Sequence, residues 1–135
     1  MASTNDLVNV YIKQIHSILE FAVAVWHPGL TSEDRLKIER VQKSALCIIL
    51  GQQYKSYRSA LRTLQMESLF ARRNRMCRKF ANKALKHSKF EKWFKPNTSN
   101  TVTRAKPTKF CDVFSRTERF KRSPISFLTQ LLNRK

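Results

Sequence analysis

Apolar positions recur at helical spacing through most of the chain and predict an all-α fold, a small bundle of four to five helices with an extended basic C-terminal segment. Ser3 to Asp6 can cap the first helix. Leu7 or Val8, Tyr11, Ile15, Ile18, Ala22 and Trp26 then follow one line along it. Several apolar side chains here are β-branched, which leaves a strand open for part of the segment; its length without a turn residue favours a helix ending at Trp26. Ile18 to Trp26 is apolar nearly all round, with Glu20 its only charge, so burial on more than one side is expected. His27-Pro28-Gly29 supplies the stop. Thr31 or Ser32 is a good N-cap, Glu33 and Asp34 suit the positive end of a helix dipole, and Thr31 with Asp34 approximates a capping box. Ile38, Val41, Ala45, Ile48 and Ile49 continue at helical spacing, with Arg40, Lys43 and Ser44 opposite, up to a C-cap at Gly51. Two antiparallel helices packed along those faces are predicted.

After a loop, Tyr57, Ala60, Leu61 and Leu64 predict a short third helix, broken at Gln65-Met66. Glu67 and Ser68 can start a fourth, running to about His87. Its apolar line is Leu69, Met76, Cys77, Phe80, Ala84 and Leu85. Its other face carries Arg72, Arg75, Lys79, Lys83 and Lys86, widened by Arg73 and Arg78. Phe90, Trp93 and Phe94 form an aromatic cluster among Lys89, Lys92 and Lys95, which either closes a core or stacks bases. Residues 97–103 read as a flexible polar loop. Lys109 to Phe120 fits neither period, and an extended segment wrapping back on the helices is expected. Ser123-Pro124 then starts a short amphipathic helix through Ile125, Leu128, Leu131 and Leu132. The expected domains are a helical one over 1–95, with a hairpin at 6–51 and basic helices at 56–95, and a loop and basic tail over 96–135.

Charge divides the chain more sharply than hydropathy does. Of 135 residues, 27 are Lys or Arg and 9 are Asp or Glu, a net +18. Residues 1–52 hold five basic and five acidic groups, so the whole excess lies beyond them. A neutral packing module followed by a cationic extension points to a polyanion partner, nucleic acid before membrane. No acidic residue lies between Glu67 and Glu91, so the cationic face of the fourth helix lacks opposite charges at i,i+4 and repels itself unless something outside the chain compensates.

A known family is resembled across nearly the whole chain after Leu7. The residues are Leu19-Glu20-Phe21-Ala22, Val25-Trp26-His27-Pro28, Leu36 and Glu39 to Ala45. Tyr57-Arg58 with Ala60-Leu61 and Leu64, Leu69 with Arg72-Arg73, and Phe90 with Trp93-Phe94 follow. Arg119-Phe120, Ser123-Pro124-Ile125 and Leu131-Leu132-Asn133 close the series. Their order and spacing resemble the region after the polymerase palm in reverse transcriptases of non-LTR retrotransposons, of the jockey kind. The resemblance implies a thumb that grips the template–primer backbone, an RNA–DNA hybrid or RNA, without reading sequence. It also implies a polymerase palm, in cis or in trans, as a partner. Arg72, Arg73, Arg75, Arg78 and Lys79 would then touch the duplex backbone, with Lys83 and Lys86 extending the same stripe. Phe21, Val25 and Trp26 would pack on a neighbouring domain, and the isolated chain would self-associate.

Catalytic chemistry is not expected. The three aspartates, Asp6, Asp34 and Asp112, are far apart, whereas a palm needs clustered carboxylates to hold two metal ions. Two glycines cannot build a phosphate cradle. The three cysteines and three histidines lack metal-ligand spacing, so neither cofactor nor metal is expected; Cys47 and Cys77 read as core residues. No leader pattern or spanning helix is predicted, so an intracellular protein, nuclear or cytoplasmic and not secreted, is expected; Asn97-Thr98-Ser99 reads as a chance glycosylation motif. The alternatives are an independent basic RNA- or chromatin-binding protein and a helical protein–protein module.

Overall fold

The computed structural model describes residues 3–98 and 108–134. Among them the fold is all-α: the only strand-like pairing is a single antiparallel bridge between Pro96 and Phe110. Ser99 of the chance glycosylation motif and most of the 97–103 loop lie outside the described residues. The chain forms two compact units, Met1–Val23 with Leu30–Asn74, and Ala24–Gly29 with Arg75–Lys135. The sequence had suggested one division, after Lys95.

In the first unit, α1 (Thr4–Val10) starts at a capping box: Ser3 accepts from the Asp6 amide and Asp6 accepts from the Ser3 amide. The helix then widens into a π-helical turn over Tyr11–His16 before α2 (Ser17–Glu20). This turn explains why the expected apolar line fails. Extra residues per turn place Tyr11 and His16, five apart, side by side and buried, with ring centroids 4.9 Å apart. Downstream positions rotate with them: Ile18 becomes 75% exposed, while Leu19 and Glu20 turn inward. Nor does the helix reach Trp26. It breaks at Phe21-Ala22, where Ala22 adopts φ 49°. A left-handed alanine costs about 1–2 kcal/mol. No glycine or proline marks the site, so the break is imposed by tertiary interactions; the ion pair of Glu20 just before it and the burial of Val23 just after it offset the cost.

Helix α4 (Ser32–Leu50), which follows α3 (Val23–Trp26), has the predicted ends. Thr31 caps it, its Oγ1 accepting from the Asp34 amide at 3.1 Å and donating to Asp34 Oδ2 at 2.6 Å. Gly51 ends it at φ 52°. Its buried face is rotated from the expected one: Gln42, Leu46, Ile49 and Leu50 are inside, and Val41 and Ile48 are exposed. Leu46, Ile49 and Leu50 pack with Tyr11 and Ala60, the last from α5 (Tyr57–Thr63), whose N-cap is Ser56. Gln65, at φ 52°, ends that segment where a break was predicted.

Helix α6 (Leu69–Leu85) begins in the first unit and ends in the second. In the second unit Phe94 packs on Phe110 with centroids 6.0 Å apart. The extended stretch after Thr108 pairs with residues 95–97, the Cys111 amide donating to the Lys95 carbonyl at 2.9 Å. Asn133, in α8 (Pro124–Asn133), clasps Phe110 through both its amide and its carbonyl, each at 3.0 Å. A one-turn helix, α7 (Glu118–Lys121), was not predicted. His27, expected in a turn, is buried and meets Phe127 edge-on at 5.7 Å.

Candidate nucleic-acid interface

The Ser68 hydroxyl accepts from the Ala71 amide at 3.3 Å and so caps α6. A second acceptor, Gln42 Oε1, takes the Leu69 amide at 3.0 Å. Fully buried Gln42 also donates to the Glu67 carbonyl at 3.0 Å, and Tyr57 Oη lies 2.7 Å from its Oε1. One side chain thus holds the start of the cationic helix.

From there the helix divides its cations into two groups. The buried line is Leu69, Arg73, Cys77, Ala81 and Ala84. It differs from the expected line because Arg73 is inside and Phe80 is partly out. Arg73 has 0% exposure and its Nη2 lies 3.9 Å from Glu39 Oε2. Tyr57 Oη is 2.8 Å from the other oxygen of that carboxylate. Burial first, then Glu39, pushes the Tyr57 phenol above its ordinary value. Arg72 is half-buried and forks onto Glu20, Nε to Oε1 and Nη2 to Oε2, the latter at 3.2 Å. That hydrogen bond raises the arginine's already high pKa. Neither residue is placed to meet a duplex: Arg73 is inside the protein, and Arg72 is committed to Glu20.

The remaining candidates, Arg75, Arg78, Lys79, Lys83 and Lys86, are all exposed and belong to the second unit. At 100° per residue the first four project within about 140° of one another on the side of α6 opposite Cys77 and Ala84. Lys86, in the turn just after the helix, continues the row. Arg78 Nη2 also approaches the Arg134 carbonyl at 3.5 Å. Lys79, Lys83 and Lys86 make no ion pair among the described residues. From Arg75 to Lys86 the row covers about 16 Å at the helical rise.

No known family model, curated protein or solved structure matches this chain. The likeness to a polymerase thumb therefore stands on the quoted residues alone.

The two aromatic candidates separate. Phe94 is buried against Phe110, so it closes a core and cannot take a base. Trp93 is partly exposed and rests on Phe90 with centroids 4.7 Å apart, and His87 flanks the same ring at 5.1 Å. Of the expected packing residues, Phe21 is 80% exposed and lies in the first unit. Val25 is exposed and Trp26 half-buried in the second. Cys77 is buried as expected, Cys47 half-buried and Cys111 exposed. Among the described residues no group of His, Cys, Asp or Glu could hold a metal, and no helix is long and apolar enough to cross a membrane. What the site offers chemically is fixed positive charge in a row.

Sequence reasoning missed Gln42 and the inward turn of Arg73. A signal for the first existed: Gln42, Leu46, Ile49 and Leu50 fall at i, i+4, i+7 and i+8, a core stripe with one polar member. For Arg73 the spacing Leu69-Arg73-Cys77 was equally visible, but an arginine on a core stripe is ordinarily read as surface.

Proposed function

We propose that this chain is a non-catalytic nucleic-acid-binding segment that grips phosphate backbone through the exposed part of α6, in the manner of the thumb of a non-LTR retrotransposon reverse transcriptase. The observation that carries the reading is the row from Arg75 to Lys86: four exposed cations on one side of one helix and a fifth in the turn just after it, with no acidic residue between Glu67 and Glu91. Cations in such a row displace counterions from successive phosphates, which makes affinity steeply salt-dependent and insensitive to sequence. The polymerase chemistry belongs to a palm domain that the proposed thumb would serve, and template–primer hybrid is the ligand.

The test is fluorescence anisotropy of labelled RNA–DNA hybrid, duplex DNA and single-stranded RNA, each titrated with the chain across a salt series. Tighter binding to the hybrid, with a slope of several phosphates, is the expected result. Equal and weak binding to all three would leave only diffuse charge and defeat the thumb assignment.

Exposed Ile18 and Phe21 in the first unit favour a second reading, a helical surface that docks another protein, of which the palm is one instance. In that reading the isolated chain self-associates as concentration rises. A clean monomer by light scattering at high concentration would refute it.

A further inference from the structure

Two cavities in the second unit share a wall at Phe120. The first, about 520 Å³, is lined by Trp26, Arg119 and Arg122 among others. The second, about 410 Å³, is lined by Trp93, Phe114, Lys92 and Lys95. Both fall within the range of small-ligand sites, about 300–1,000 Å³. Their walls carry rings with little cover: Phe114 is 83% exposed and Phe120 is 47% exposed. Single exposed apolar residues need no explanation, but several aromatic rings lining adjacent cavities beside four cations do.

Flat apolar walls with cations beside them fit a flat ring joined to an anion. Two such cavities with a common wall fit two rings joined by one anionic link. We propose that these cavities hold two successive bases of a single-stranded nucleic acid, stacked on the aromatic walls about Phe120, with Arg119, Arg122, Lys92 and Lys95 on the phosphates. Bases inside a duplex cannot reach such walls, whereas unstacked bases can. The one acidic group in either lining, Asp112, lies within 3.5 Å of Asn133 Nδ2. Its carboxylate disfavours a phosphate inside the second cavity, and it offers an acceptor to a base N–H. This site is separate from the row on α6 and shares with it only the polyanionic partner.

The test compares a ten-nucleotide single strand with the same strand made abasic at every position, which keeps every phosphate and removes every base. The full chain is expected to bind the abasic strand at least about thirtyfold more weakly. A 2-aminopurine in the intact strand should be quenched severalfold on saturation. F120L, checked for folding by circular dichroism, should lose both effects, and F114L, altering a ring already in solvent, should reduce the quenching. R75E/K79E/K83E should weaken duplex binding yet leave the quenching at saturation intact, so failure of the α6 reading is told apart from failure of this one. Equal affinity for the intact and abasic strands, or a 2-aminopurine that stays bright at saturation, would overturn the proposal.

Discussion

The two parts of helix α6 are alike in composition and opposite in fate. Over Leu69–Asn74 the cations are Arg72 and Arg73, and both are taken up inside the first unit, by Glu20 and near Glu39. From Arg75 onward, four cations of the helix and Lys86 just after it face solvent, and no acidic residue lies between Glu67 and Glu91. The difference comes from the neutral part of the chain, which spends two of its five acidic groups on two of the helix's arginines. A count of Lys and Arg therefore overstates an interface. What marks a binding surface is charge that the fold leaves facing solvent.

Substitutions at neighbouring positions can break or sharpen this contrast. The largest effect is expected at Arg73. Arg73→Ala opens a cavity and strands Glu39, and should cost about 3–5 kcal/mol in a denaturant titration, while the salt slope of RNA binding stays unchanged. Loss of slope without loss of stability would reverse the assignment of the two parts. Gln42→Leu comes next. It leaves the Leu69 amide and the Glu67 carbonyl short of a partner, while the Tyr57 hydroxyl keeps Glu39, and about 2–3 kcal/mol is expected by the same assay.

A pH titration probes the same buried surroundings. His16 is held below the ordinary histidine value of 6.5, first by burial and then by Arg72, with Glu20 opposing. The unfolded chain thus takes up a proton that the folded chain resists. Stability is full above pH 6.5 and declines as pH falls below it toward the lowered value. His16→Leu should flatten that decline in thermal melts between pH 7 and 5; an unchanged profile would show that His16 is not its source. The smallest stability effect is expected at Lys83. Lys83→Ala should stay within about 0.5 kcal/mol of the parent, and reduce the salt slope by about 1.

Helix ends were the most legible feature of the fold. Ser3 and Thr31 cap through short-range hydrogen bonds that the local sequence specifies, and Gly51 ends its helix in a conformation that glycine favours. Helix faces were less legible. One π-helical turn at Tyr11–His16 shifts every later position, and a left-handed Ala22 breaks a helix that contains no local breaker. Both are set by contacts distant in sequence. At the candidate site, Arg75 to Lys86 could be read from spacing alone. Arg72 and Arg73 could not, since their partners lie 52 and 34 positions away, in Glu20 and Glu39.

The central claim is that the exposed row grips phosphates and the inward arginines do not. It is tested most directly by the slope of log Kd against log salt for a labelled RNA–DNA hybrid, measured for the parent chain and for R75E/K79E/K83E. The account predicts a slope shallower by about 3 in the variant and an affinity about a hundredfold lower at 0.1 M salt. Equal slopes for the two proteins would contradict it.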